Sequence, residues 1–103
     1  MSAFIDDTLQ IAQNKFKSFG FKDEQIEQLL TSGRKDLVSE FDKLKVILIQ
    51  DEIDIKLLND SLHALKGLLL NMGNDTLANN LIELKNNQNI QDKIDNIKSI
   101  FEI

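Results

Sequence analysis

The sequence predicts an all-α protein, an antiparallel four-helix bundle with additional N-terminal helices. Three observations carry that prediction. Apolar residues recur every three or four positions along the chain, and no stretch alternates as a half-buried strand would. Breakers are scarce, with no proline and four glycines in 103 residues. The stretches between apolar stripes are short, which makes successive helices antiparallel neighbours.

Taken in order, residues 3–19 place Ile5, Leu9, Ala12, Phe16 and Phe19 on one face, and Gly20 ends that helix. Asp23 can cap a short second helix holding Ile26, Leu29 and Leu30, and Gly33 is expected to close it. A third stripe runs from about Lys35 to Gln50 through Leu37, Val38, Phe41, Leu44 and Leu48. Ile47 and Ile49 widen it, so that end is expected to be buried on more than one side. Residues 51–54, DEID, read as a turn or a helix start, where acidic side chains suit the positive end of the dipole. The next helix runs from Ile53 or Asp54 to Met72, with Gly73 at the left-handed C-terminal position. Asn74 or Asp75 can cap a helix whose apolar side is Leu77, Ala78, Leu81, Ile82 and Leu84. NNQN at 86–89 breaks it, and Ile90, Ile94, Ile97 and Phe101 mark a last helix. The chain is thus one domain over residues 1–103, with N-terminal helices in 1–33 and the bundle in 35–101. Helices this short are marginal alone, so the stripes must bury against one another.

Composition excludes several classes. No run of about 18 apolar residues exists, so no membrane span is expected. The start MSAFIDD is acidic where a secretory signal is basic and then apolar. Without cysteine there are no disulfides or thiolate metal sites, and the cytoplasm is the simplest location. Twelve basic residues are scattered among 17 acidic ones for a net charge of −5, which argues against nucleic acid. Most catalytic constellations are missing as well. The single histidine, His63, has no adjacent nucleophile and no second histidine for a metal site. No phosphate-binding glycine loop appears, and Asp51, Glu52 and Asp54 lack the spacing of a calcium loop.

His63 itself is unusual in its placement. On a helical wheel of about 100° per residue, Leu58, Leu62, Leu65, Leu68, Leu69 and Met72 crowd one arc. His63 lies almost opposite, flanked by Asn59, Lys66, Gly67 and Leu70. A neutral imidazole has one ring nitrogen with a free lone pair, which can attack phosphorus and carry a phosphoryl group. Lys66, one turn on, can approach the phosphoryl oxygens. Gly67 has no Cβ and leaves the surface beside the imidazole open, while Leu70 offers apolar contact to a partner. A mid-helix glycine costs about 1 kcal/mol against alanine, so it calls for a reason. The competing account is a surface histidine of no consequence, with Gly67 allowing close helix packing.

Residues 63–77, H-A-L-K-G-L-L-L-N-M-G-N-D-T-L, resemble the signature of histidine-containing phosphotransfer (HPt) domains. In that family the histidine is followed by Lys at +3, Gly at +4, Gly at +10 and Leu at +14. Here those positions hold Lys66, Gly67, Gly73 and Leu77, with Leu65 and Met72 at the apolar +2 and +9 positions. The resemblance is specific over 59–85, looser over about 35–101, and does not extend to residues 1–33. It implies a four-helix bundle with the histidine exposed midway along one helix. It further implies a phosphorelay protein that is a phosphocarrier and not an enzyme. His63 accepts the phosphoryl group from a sensor histidine kinase, or exchanges it with an aspartate of a response-regulator receiver domain. Lys66 supplies electrostatics, Gly67 access and Gly73 the helix end. No cofactor is implied on this chain, because Mg²⁺ belongs to the receiver, and such a bundle is expected to be monomeric.

Two positions depart from the family. Leu68, Leu69 and Leu70 stand at +5 to +7, where small residues are usual, and Leu70 narrows the set of partners. At +22 Lys85 replaces a Glu or Gln that bonds the imidazole, and a lysine accepts no hydrogen bond. Lys85 can instead contact the phosphate, or Glu83 can stand in if its helix is rotated. Asn59, Leu70 and Lys85 are thus the expected partner-facing residues. The alternative reading is a helical adaptor that keeps the fold and binds receiver domains or kinases without phosphotransfer.

Overall fold

The computed structural model describes residues 3–103, with the side chain of Lys85 outside the described residues. Five helices follow one another: α1 (Ala3–Ser18), α2 (Asp23–Leu48), α3 (Ile55–Asn71), α4 (Asp75–Lys85) and α5 (Ile90–Phe101). Among the described residues there is no strand, and no helix is long and apolar enough to cross a membrane.

Local chemistry sets the helix ends. α1 stops where Gly20 takes φ +82, and the N–H groups of Gly20 and Phe21 donate back to the Lys17 and Phe16 carbonyls at 3.0 and 3.1 Å. α3 stops in the same way. Gly73 takes φ +87, and the Gly73 and Asn74 N–H groups donate to Leu70 and Leu69 at 3.1 and 2.9 Å. Paired bonds of this kind occupy otherwise open carbonyls and require a residue that tolerates the left-handed region. At the N-termini, Asp54 accepts from the Leu57 N–H at 3.1 Å. Asn74 accepts from Leu77 at 3.3 Å, and Asn89 accepts from Asp92 at 3.1 Å. These side chains satisfy first-turn donors of α3, α4 and α5.

The expectation of two helices over 23–33 and 35–50 is corrected. Residues 23–48 form one helix of 26 residues, about 39 Å long at 1.5 Å per residue. Gly33 does not close a helix, because it lies on the buried stripe itself. Ile26, Leu37, Phe41, Leu44 and Leu48 are buried along that stripe. A Cβ built on Gly33 would stand 2.5 Å from Cε and 3.0 Å from Sδ of Met72. The glycine is a notch that seats Met72, the residue that follows α3. The far end of α2 also differs from expectation: Val46 is 56% and Ile49 76% exposed. The helix ends at Leu48, so Ile49 no longer projects along the stripe.

α1 packs along α2, and a cluster of aromatic rings fixes where it starts. Phe4 meets Phe41 at 4.9 Å and Phe101 at 4.8 Å between centroids, and Phe41 meets Phe101 at 5.6 Å. The two Phe4 contacts are edge-on, which suits the ring quadrupoles, and the Phe41–Phe101 pair is tilted. They bring the first turn of α1, the middle of α2 and the end of α5 together. A buried polar link holds α1 to the α3–α4 turn. Asn74 Nδ2 donates to Thr8 Oγ1 at 2.8 Å, and Thr8 Oγ1 donates to the Phe4 carbonyl at 2.6 Å. Residues from all five helices enter one core, including Ile5, Leu44, Leu65, Leu81 and Ile97. Ile82, expected on the apolar side of α4, is 41% exposed.

Candidate functional site

α3 divides its faces along the line that its periodicity sets. Leu58, Leu62, Leu65 and Leu69 are buried, His63 is exposed, and Asn59, Lys66 and Gly67 are half-buried. His63 stands at a depression of about 180 Å³ lined by Asn59, Leu62, His63 and Lys66 of α3 and by Leu81 and Ile82 of α4. That volume lies below the roughly 300–1,000 Å³ of ordinary small-molecule pockets. The place is a small hollow beside an exposed imidazole. A larger hollow, about 630 Å³, is a groove between α1 and α2 lined in part by Asp6, Lys17, Asp23, Glu27 and Arg34. It holds no imidazole, and ordinary solvated charges line its rim.

A Cβ added at Gly67 would meet nothing within 4 Å. Close helix packing therefore does not explain this glycine. Its lack of a side chain leaves open space one turn from His63. Among the described residues Lys66 makes no ion pair or hydrogen bond, and the His63 ring has no hydrogen-bond partner. Among the described residues, then, nothing engages the ammonium of Lys66 or the imidazole nitrogens.

The other expected residues fall differently. Leu70 is 39% exposed and lies two turns beyond His63, about 10 Å along the axis, so it does not line the depression. Gly73 ends the helix through its left-handed conformation. The side chain of Lys85 lies outside the described residues, although its backbone ends α4. Glu83 is not among the residues that line the hollow at His63. It lines a groove with Asn96 and Ser99 of α5, on a different side of α4 from Ile82. Comparisons with protein-family models, curated proteins and solved structures return no match. The residues themselves carry the functional reading.

Two further side chains shape the electrostatics. Asp60, three positions before His63, is the acidic residue nearest it in sequence, and Lys56 engages it at 3.0 Å. That hydrogen bond, with the attraction between the charges, raises the Lys56 pKa. Lys93 of α5 is 3% exposed, and its Nζ donates to Asn59 Oδ1 at 2.6 Å. Sequence reasoning missed Lys93, although one signal was present. It follows Ile90 by three positions and precedes Ile97 by four, so it is a lysine written into an apolar stripe. Among the described residues no group of three or more His, Cys, Asp or Glu side chains could hold a metal ion.

Proposed function

We propose that the chain is a phosphocarrier of a two-component phosphorelay, an HPt-like protein in which α2–α5 form an antiparallel four-helix bundle and α1 is an addition. The observation that carries this reading is the open space at Gly67 beside an exposed histidine with an uncommitted lysine one turn away. The resemblance of residues 63–77 to the HPt signature supports it.

The chemistry follows from the residues. The free ring nitrogen of His63 attacks the phosphorus of an aspartyl phosphate held in a receiver domain. A nitrogen–phosphorus bond forms, the phosphorus–oxygen bond breaks, and the aspartate leaves as a carboxylate with the electron pair. The second ring nitrogen keeps its proton, and the positive charge gained by the ring is balanced by the carboxylate released. Lys66 stands where it can attend the phosphoryl oxygens, which carry about two negative charges. The reverse reaction passes the group to another receiver. The partner supplies the acidic pocket and Mg²⁺, a sensor histidine kinase is the other donor, and the protein acts as a cytoplasmic monomer.

The test is transfer of label from a panel of phosphorylated receiver domains with Mg²⁺. Acid-labile, base-stable label is expected on the wild type and is lost in His63→Gln, with helical content unchanged. Label persisting in His63→Gln would overturn the assignment. A folded wild type that binds a receiver yet takes no label would make the protein a helical adaptor instead.

A further inference from the structure

We infer that Lys93 and Asn59 form a positioning pair that presents the Asn59 amide NH₂ to the phosphoryl group on His63. The inference rests on the phosphocarrier reading and adds to it a residue from α5. It begins with an anomaly. Lys93 is 3% exposed, and among the described residues no carboxylate pairs with it. It donates instead to the neutral Oδ1 of Asn59 at 2.6 Å. Burying an ammonium against one neutral acceptor is costly, and an apolar residue of similar length commonly serves a fold as well or better. Packing alone does not call for a lysine there.

The direction of the bond supplies the reason. A lysine ammonium only donates, so the end of the Asn59 amide facing Lys93 must be its oxygen. The NH₂ end, with two donors, is therefore the end left for other use. Asn59 precedes His63 by four positions, which makes the two side chains neighbours on the helix surface. Both line the same depression. Phosphorylation of His63 places three acceptor oxygens and about two negative charges there. Asn59 then meets the oxygens from the N-terminal side of His63 and Lys66 from the C-terminal side. Lys93 stands behind Asn59, where it locks the amide orientation and contributes a positive charge from a poorly solvated position. Without Lys93 the amide is free to turn its oxygen toward the phosphoryl group, which repels it.

The experiment uses the full chain and a small nitrogen–phosphorus donor, phosphoramidate, so that partner docking does not enter. Wild type, Lys93→Met, Lys93→Arg and Asn59→Asp are compared for rate of label uptake on His63 and for melting temperature. Lys93→Met is expected to melt at or above the wild-type temperature yet take up label about tenfold more slowly, the scale of one lost charge-assisted bond. Lys93→Arg, which keeps a cation and a donor, restores most of the rate. Asn59→Asp keeps an acceptor for Lys93, and hence the fold, but replaces the outward donors with an oxygen. Its uptake falls at least as far, which keeps the inference testable if Lys93→Met fails to fold. Uptake at the wild-type rate in folded Lys93→Met, or in Asn59→Asp, overturns the pair while leaving the phosphocarrier reading standing. No label on wild-type His63 from phosphoramidate or from any receiver overturns both.

Discussion

Gly67→Ala separates the two accounts of this glycine by the sign of one number. Gly67 lies inside α3, and a Cβ there meets nothing within 4 Å. The substitution introduces no clash, so the difference in helix propensity should be realised almost in full, about 0.8–1.0 kcal/mol in favour of alanine. At about 4–8 °C per kcal/mol for a domain near this size, the melting temperature rises by roughly 3–8 °C. Thermal and urea unfolding followed by circular dichroism would read it. Transfer should move the other way. Alanine slows phosphoryl exchange with a receiver several-fold, and Gly67→Gln, whose side chain occupies the open space beside the ring, slows it at least tenfold at near-wild-type stability. A Gly67→Ala variant that melts below the wild type would show that the glycine serves a packing contact. Gly67→Gln exchanging at the wild-type rate would remove the access role altogether.

Two further substitutions test the frame that holds α3 in place. Gly33→Ala gains about 1 kcal/mol of helix propensity but puts its Cβ 2.5 Å from Cε of Met72, so the methionine end must turn away and urea denaturation should show that gain lost, with no net stabilisation. Combining it with Met72→Leu, which lacks the reaching methyl, should recover part of the loss, and strict additivity would refute the notch. Asn74→Ala removes both the α4 cap and the bond to Thr8, a loss of about 1–2 kcal/mol in the same assay. A loss below about 0.5 kcal/mol would mean that neither contact contributes measurably to stability.

What could be read from the chain follows from which signals are local. Helix ends were legible because their chemistry is completed within a few residues, as at Gly20, Gly73, Asn74 and Asn89. The polar arc of His63, Asn59, Lys66 and Gly67 was legible for the same reason, since helical periodicity alone puts them on one side. Gly33 was misread because a stop and a notch look alike in sequence. What distinguishes them is Met72, 39 positions away, and that contact exists only after α2 and α3 pack. Ile49 misled because an apolar residue carries no mark of whether its helix has already ended. Lys93 escaped notice because its meaning depends on Asn59, which α5 reaches only in the folded chain. A cation between Ile90, Ile94 and Ile97 was nevertheless a visible break of pattern.

The charges around His63 run against the charge of the protein as a whole. The chain carries −5, and beyond about 8 Å that excess is largely screened at physiological salt. At contact range the balance is different. Lys66 has no carboxylate partner among the described residues, Lys93 donates to the neutral Oδ1 of Asn59, and Asp60 is already engaged by Lys56. An adaptor that only binds another protein has no need to keep donors unpaired on one side of a histidine, because unpaired donors weaken a dry interface. On the phosphocarrier reading the same donors are idle only in the unphosphorylated protein. They gain partners when the phosphoryl oxygens arrive, so their interaction energy favours the phosphorylated state. On that reading Lys66 and the Asn59 amide matter most after the transfer, when they would hold the phosphoryl group on His63 until a receiver takes it.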